Sequence, residues 1–572
     1  MFDFKIDGGN EGAKYDLVQT EKDGFLYVDV TIVLAEEASP EKVSVRWRLP
    51  TIDFFSVWGP LLKEKRSLPA NWRKTTVDSR LAVGMPLMQI ISKKDINSFC
   101  FASSDPVIPM SISAGAREED ALTDFVVELF TDLVAPLKEY KATWRFDMRP
   151  IPYYDALYDV TKWWEEDLGY KPADVPDAAK TPMDSLWYSF HQKLDVDGIL
   201  EECRLAKPLG MDTVIIDDGW QTEDNSRGYA YCGDWEVAHN KMGDMKELVD
   251  RLHEIGIKVM LWYSVPFVGI HSKKYEEFKG MLRKSWPNGT AFSIDPRYKV
   301  CRDFLVDTYT TAVSEWGLDG LKLDFIDWFR MDEEGLEPDD RRDFVSLEEA
   351  IDCLMTEVKD KLTAIKPDIL IEFRQKYVGP AIRKHGNMLR VGDCPNDALS
   401  NRLGIIDLRF TSGKTAVHSD MIMWSKNEKA ESAAMQIASI LYGVPQVSVK
   451  LNEMPEEHLQ MLRHYLSFWR ENRKVLLDGK LTASEPWANY STARSTLGEK
   501  EIISAYADRL VGLKTKWSVV VNCTADDTLI IKGGKGRGYT VVDCMGNKVG
   551  EGTIDADLYE VAVPLTGILT AE

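Results

Sequence analysis

The stretch VCRDFLVDTYTTAVSEWGLDGLKLDF, residues 300–325, decides the fold. Its apolar residues recur at helical spacing as far as Trp316, Gly317 breaks the pattern, and a short apolar run ending in Asp324 follows. One helix feeding one strand is the unit of an α/β protein, so the question becomes how often it repeats. Working outward, strand-like runs occur at SLWYSF (185–190), DTVIIDDG (212–219), KVMLWYSV (258–265), DILIEFR (368–374), MLRVGD (388–393), TAVHSDM (415–421) and VPQVSVK (444–450). Amphipathic segments such as GILEECRLAKPLG (198–210) and MKELVDRLHEIG (245–256) lie between several of them. With DGLKLDF these make the eight strands that a (β/α)8 barrel requires. A doubly wound sheet would carry a Gly-rich turn after its first strand, and SLWYSFHQK has none.

On either side the rhythm changes. Residues 15–149 read as short alternating strands, among them FLYVDVTIVL, KVSVRWRL, SFCFASS and YKATWRFDMR, which predicts a β-sandwich. The proline-bearing run YKPADVPDAAKTP (170–182) reads as a linker, and EIISAYAD, WSVVVNC, TLIIKG, YTVVDCM and LYEVAVP return the chain to β structure after residue 485. The expected organisation is an N-terminal β-sandwich (1–170), a catalytic (β/α)8 barrel (171–480) and a small C-terminal antiparallel β domain (481–572).

The 572 residues carry a formal charge of -22, so the average field repels a nucleic-acid backbone or an anionic membrane. No basic-then-apolar leader opens MFDFKIDGGN and no long apolar span occurs, which reads as a soluble chain. Eight scattered cysteines without Cys-x-x-Cys suit free thiols in a reducing cytosol. The histidines form neither His-x-His nor His-Glu-x-x-His, so no metal site and no cofactor are expected.

In such barrels the reactive groups stand at the C-terminal ends of the strands. Here those ends are acidic: Asp217 and Asp218 after strand two, Lys322, Asp324 and Asp327 at strand four, Glu372 and Arg374 at strand five, Arg390 and Asp393 at strand six, His418 and Asp420 at strand seven. Glycoside hydrolysis needs two carboxyls on opposite sides of the scissile bond, and strands four and six face each other, which makes Asp324 and Asp393 the pair. The strand period of two puts Lys322 on the face of Asp324, where its ammonium would keep that carboxylate charged. Asp217 and Asp218 read as acceptors for sugar hydroxyls, and Trp220, Trp235, Trp262 and Trp328 as rings on which a sugar could stack.

Plainer readings stand beside these. A single Asp after a strand is most often a turn former or a helix cap. Arg390 could hold a structural ion pair, Arg374 could contact substrate or bridge to Glu372, and His418 fits a satisfied polar residue of the barrel wall. The cysteines read as inert, Cys394 being singled out only because it adjoins Asp393.

At these residues the sequence resembles the α-galactosidases of glycoside hydrolase family 36. The segments that carry the resemblance are LWYSFHQKLDVDGILEECRLAKPLGMDTVIIDDGWQ (186–221), GDWEVAHNKM (233–242), IDPRYKVCRDFLVDTYTTAVSEWGLDGLKLDFID (294–327) and RVGDCPNDALSNR (390–402), in that order. The resemblance implies Asp324 as nucleophile, Lys322 as its sugar-contacting neighbour, Asp393 as acid/base, and Asp217 and Asp218 as hydroxyl binders. It implies a retaining hydrolase of terminal α-galactosides, without cofactor, and with relatives that are often homo-oligomers. Two segments depart from the family pattern. IEFRQKYVGP (371–380), with Glu372, Arg374 and Tyr377, replaces a Cys- and Gly-rich sugar-reading loop, and Ser264-Val265-Pro266-Phe267 replaces an acidic Pro-Glu pair. Alternatives are a transglycosylase of the raffinose-synthase type, suggested by Asp217–Gln221, a glycosidase whose sugar carries an anion for Arg374, and a non-catalytic sugar-binding protein.

Overall fold

The computed structural model describes residues 1–63, 66–374 and 376–572. Its centre is a parallel eight-stranded sheet: β1 (Met183–Ser185), β2 (Thr213–Ile216), β3 (Lys258–Ser264), β4 (Gly320–Asp324), β5 (Leu370–Arg374), β6 (Met388–Arg390), β7 (Ala416–His418) and β8 (Gln446–Val447). Neighbours follow sequence order, β8 pairs with β1, and bridges His418–Val444 and Ile422–Val447 join the β7 and β8 edges into a barrel. Helices α1 (Val196–Leu209), α2 (Met245–Ile255), α3 (Lys299–Trp316), α4 (Leu347–Ile365) and α5 (Ala398–Thr411) surround it. Local chemistry explains their ends. Asp195, Asp244, Ser346 and Asp397 cap α1, α2, α4 and α5 by accepting a backbone N–H of the first turn. Gly210, Gly256 and Gly317 stop α1, α2 and α3 in the left-handed conformation.

One expected strand is displaced. The first strand is Met183–Ser185, and most of SLWYSF is a single helical turn, Trp187–Phe190. Aromatic runs suit strands, but Phe190 N–H bonds Leu186 O, and the turn swings Tyr188 toward the barrel mouth.

Alternation along each strand sorts the barrel interior into layers. Met183, Ile215, Met260, Leu370, Met388 and Ala416 form an apolar floor. One step of two residues further, Asp217, Lys322, Glu372, Arg390, His418 and Gln446 form a buried polar layer, and the next step brings Asp324 and Arg374 to the mouth. The run 170–182 does more than connect domains. Its 3-10 turn Asp177–Lys180 seats buried Ala179 in the floor, with Val175 and Ala178 packed around it. Ala179 O accepts the His418 Nε2 hydrogen at 2.8 Å, so the segment closes the lower end of the barrel.

The N-terminal domain is a sandwich of two six-stranded sheets, built on Phe25–Ala38, Val43–Pro50, Asn97–Ser103, Met110–Ala116, Leu122–Leu129 and Leu137–Asp147. Its core holds Trp47, Phe101, Phe125, Trp144 and Phe146. A hairpin at the edge of one of these sheets, Thr75–Arg80 and Val83–Gly84, leans on the barrel mouth. Arg80 Nη2 donates to Asp327 O at 2.5 Å, and Gly84 N–H to Lys376 O at 2.7 Å. A side chain at Gly84, where φ is +61°, would meet Asp78 O at 2.2 Å. The C-terminal sheets run from Lys480 to Ala571 and follow the long helix Glu456–Asp478. They are mainly antiparallel, but Lys500–Ala505 lies parallel to Trp517–Asn522, and Leu510–Gly512 parallel to Thr528–Lys532.

All three regions meet at one buried polar node. Asp407 on α5 accepts from Arg66 Nη2 at 2.5 Å, from Trp58 Nε1 at 3.0 Å and from the Tyr490 hydroxyl. Arg66 Nη1 also donates to that hydroxyl at 2.8 Å.

Candidate active site

Asp324 ends β4, 6 % exposed, with both carboxylate oxygens engaged unequally. Oδ1 faces Arg374 Nε at 2.9 Å and accepts the Phe325 N–H at 2.9 Å, whereas among the described residues Oδ2 accepts only the Trp262 Nε1 hydrogen, at 3.1 Å. Parallel register makes this possible: Ser264 pairs with Asp324 and Leu323 with Phe373, so the third-strand indole and the fifth-strand guanidinium flank the carboxylate.

Lys322 does not pair with Asp324 as its spacing suggests. Its ammonium donates to Asp217 Oδ2 at 2.6 Å, reaching past β3 to β2, with both side chains buried. The period of two fixes the face of a side chain, and its length then decides which carboxylate on that face it meets. Asp218 accepts from Gln192 at 2.8 Å and Gln221 at 2.6 Å. Burial pushes its carboxyl up to about 6 against those two bonds, with Asp217 adding to the rise.

Arg374 binds neither Glu372 nor a free corner. Besides Asp324 it approaches Asp327 Oδ1 at 3.6 Å and lies 4.5 Å over the Phe325 ring. Two carboxylates already balance its charge, which removes the motive for an anionic sugar. Tyr377, also from the divergent fifth loop, is fully buried and donates to Leu323 O at 2.8 Å, bracing β4 from behind.

Of the four tryptophans expected to stack on a sugar, Trp220, Trp235 and Trp262 are buried, Trp262 at 2 % exposed with its indole N–H on Asp324. Trp220 is 0 % exposed and donates to Trp262 O at 2.8 Å, and Trp235, 5 % exposed, stacks on it at 6.1 Å. Both are packing for the wall behind Trp262 and offer no face to a sugar. The partly exposed aromatic wall consists of Tyr229, Trp286 and Trp328, with ring centres 4.9 Å apart for Tyr229–Trp286 and 4.7 Å for Trp286–Trp328.

Strand six does not face strand four as expected but lies two places along the barrel from it, and Asp393 projects from the loop after β6 with its side chain half exposed. Arg390 Nη2 donates to its Oδ1 at 2.9 Å. Partial burial raises the Asp393 carboxyl, but Arg390, then Arg374 and Lys322, override this and bring it down to about 2. Arg390 itself is fully buried and also contacts Asp420, and Glu372 at 3.6 Å. It is the shared cation of the site. Arg374 and Arg390 each act on both Asp324 and Asp393, so the two acids lie in one electrostatic unit.

Beneath them Gln446 donates to Glu372, and its Nε2 lies 3.2 Å from His418 Nδ1. Because Ala179 O can only accept, His418 carries its proton on Nε2. Burial lowers its pKa to about 4 and keeps it neutral, as expected of a residue in the barrel wall. Tyr188 and Gln192 join the site without having been singled out in the sequence, because SLWYSFHQ reads as a strand and not as the helical turn that aims them inward.

The mouth of the barrel thus holds Asp324, Asp393 and further acids beside a partly exposed aromatic wall. Residues 183–286 match the Melibiase family model. The α-galactosidase Mel36A of Lactobacillus acidophilus is 30% identical over 132 residues, which is 22% of this chain and 17% of that protein. An α-D-galactosamine galactosaminidase acting on type A blood, from Flavonifractor plautii, is 27% identical over 175 residues, 27% of this chain and 15% of that one. The matched segments thus span under a fifth of these relatives. Among solved structures, the raffinose complex of the GH36 α-galactosidase AgaA from Geobacillus stearothermophilus has the same fold, with a TM-score of 0.64 and 14% identity over 100% of this chain and 88% of that one. The chain shares the fold of the GH36 α-galactosidases, and residues 183–286 are similar to the Melibiase family.

Proposed function

We propose that the chain is a retaining α-glycoside hydrolase acting on terminal α-galactosides, with Asp324 as nucleophile and Asp393 as general acid/base. The observation that carries this is the unequal hold on Asp324. Oδ1 accepts the Phe325 N–H and is ion-paired with the Arg374 guanidinium at 2.9 Å, whereas Oδ2 accepts the Trp262 indole hydrogen and lies away from that cation, so Oδ2 is the oxygen with a lone pair to give the anomeric carbon. As that bond forms, the bond to the glycosidic oxygen breaks and Asp393 hands its proton to the departing oxygen. In the second step Asp393 takes a proton from water, whose oxygen displaces Asp324 and restores the α configuration.

The electrostatics favour the second step. With Asp393 held as carboxylate, it is ready as a base, and the first step needs the approaching sugar to loosen its pairing with Arg390. Asp217, Asp218 and Lys322 present acceptors and a donor to the sugar hydroxyls. Among the described residues no helix is long and apolar enough to cross a membrane, and the buried thiols fit the cytosolic setting we propose.

The test is hydrolysis of 4-nitrophenyl α-galactoside beside the α-glucoside, α-N-acetylgalactosaminide and α-xyloside, with Asp324→Ala as control. Preference for the α-galactoside, lost by about three orders of magnitude or more in the variant, supports the reading. Wild-type turnover by Asp324→Ala refutes it.

A further inference from the structure

We propose that Asp420 is the positioning residue of the acid/base: it divides the charge of Arg390 with Asp393 and anchors the loop that presents Asp393. This rests on the assignment of Asp393 above. Asp420 follows β7 and is fully buried. Its Oδ1 accepts from Arg390 Nη1, while Arg390 Nη2 goes to Asp393, so one guanidinium serves two carboxylates. Its Oδ2 accepts the Cys394 N–H at 2.7 Å, the residue next to Asp393, and the Tyr188 hydroxyl at 3.0 Å. One side chain thereby ties β6, the acid/base loop and the helical turn after β1.

The backbone of Asp420 is fixed independently. Asn401 accepts its N–H at 2.9 Å and donates to its carbonyl at 3.0 Å, so a changed side chain leaves the backbone of residue 420 in place.

The groups facing this cluster are Arg390 and Glu372 from the strands, Asp393 and Cys394 from the loop, Tyr188 from the turn, and Lys322 and Arg374 across the mouth. In this arrangement Asp420 competes for Arg390. Remove its charge and the guanidinium is shared only with Glu372, at 3.6 Å, so its hold on Asp393 tightens and Asp393 keeps its proton less well. The general acid is impaired while the nucleophile is untouched.

The sign follows. Asp420→Asn should move the basic limb of kcat, which reports the complex in which the sugar has loosened the Asp393–Arg390 pair, toward lower pH by about one unit, or about tenfold in rate at a fixed pH on that limb for a substrate with a poor leaving group. A 2,4-dinitrophenyl glycoside, whose leaving group needs no proton, should change less than about threefold. Tyr188→Phe, which withdraws one donor from Asp420 and leaves its carboxylate leaning harder on Arg390, should shift the limb the opposite way by less. Asp393→Asn is the control on the underlying assignment, losing turnover on the poor leaving group and regaining it with azide on the activated one. If Asp393→Asn fails in this way but Asp420→Asn keeps the wild-type limb, or loses both substrates equally, the positioning role is overturned. If Asp393→Asn hydrolyses the poor substrate like wild type, the assignment falls and the proposal with it.

Discussion

Replacing Asp407 with Asn is the perturbation whose outcome the structure fixes most tightly. The substitution keeps the volume and removes the charge that Arg66 meets at 2.5 Å, both side chains being 2 % exposed. It turns an ion pair with three donors converging on one carboxylate into a buried guanidinium without a counter-charge. Breaking a buried pair from one side costs about 3–5 kcal/mol, whereas replacing both partners with apolar residues of similar size is close to neutral. Asp407→Asn should therefore lose about 3 kcal/mol or more in urea unfolding, and Arg66→Met with Asp407→Leu should recover most of it. Tryptophan fluorescence is a suitable readout, because Trp58 sits in the node. A single-variant loss below about 1 kcal/mol, or a double variant as unstable as the sum of its singles, would show that the node is not charge-paired as described.

Three further outcomes are expected. Glu202 is buried near Asp184, and burial raises both carboxyls, Glu202 to about 7. A raised acid stabilises below its unfolded value and loses that contribution as pH rises through 7, so melting points should fall between pH 5 and pH 8, and Glu202→Gln should flatten a slope worth about 3 kcal/mol at most. Arg374→Ala should cut kcat by about 10²-fold with a small change in KM, since the guanidinium holds Asp324; an equal loss in KM alone would make Arg374 a sugar-binding group instead. Trp262→Phe removes one hydrogen bond to Asp324 Oδ2 and should lower kcat about tenfold at unchanged melting temperature, and full activity would free Oδ2 from that role.

The barrel is readable because its helices carry both cap and stop residues and its strands end in charge. Lys322, Asp324, Glu372, Arg374 and Arg390 could be placed by alternation alone, since a period of two settles which face a residue takes. What alternation does not settle is reach, so Lys322 was assigned to the wrong carboxylate. Nor does a local pattern show what packs behind a ring: Trp220 and Trp235 sit in the right motif and are sealed off by Trp262 and Tyr263. The first strand was misplaced because an aromatic run satisfies strand preference, while the backbone bond from Phe190 to Leu186 depends on where the turn must end. Several N-terminal strands escaped notice for a related reason: Thr75–Arg80 and Ser56–Trp58 are short or polar, and only their neighbours make them strands.

The turn at Ala179 bears on where this protein could be cut. Ala179 precedes the first barrel strand, yet its carbonyl orients His418, which meets Gln446, which holds Glu372, which stands beside Arg390 and so reaches Asp393. A relay of side chains thus runs the full height of the barrel from a segment that sequence marks as expendable. A fragment begun at Met183 would keep every strand and every carboxylate of the mouth, but the lowest rung of that ladder would be missing, and a neutral imidazole would be free to turn over in the wall.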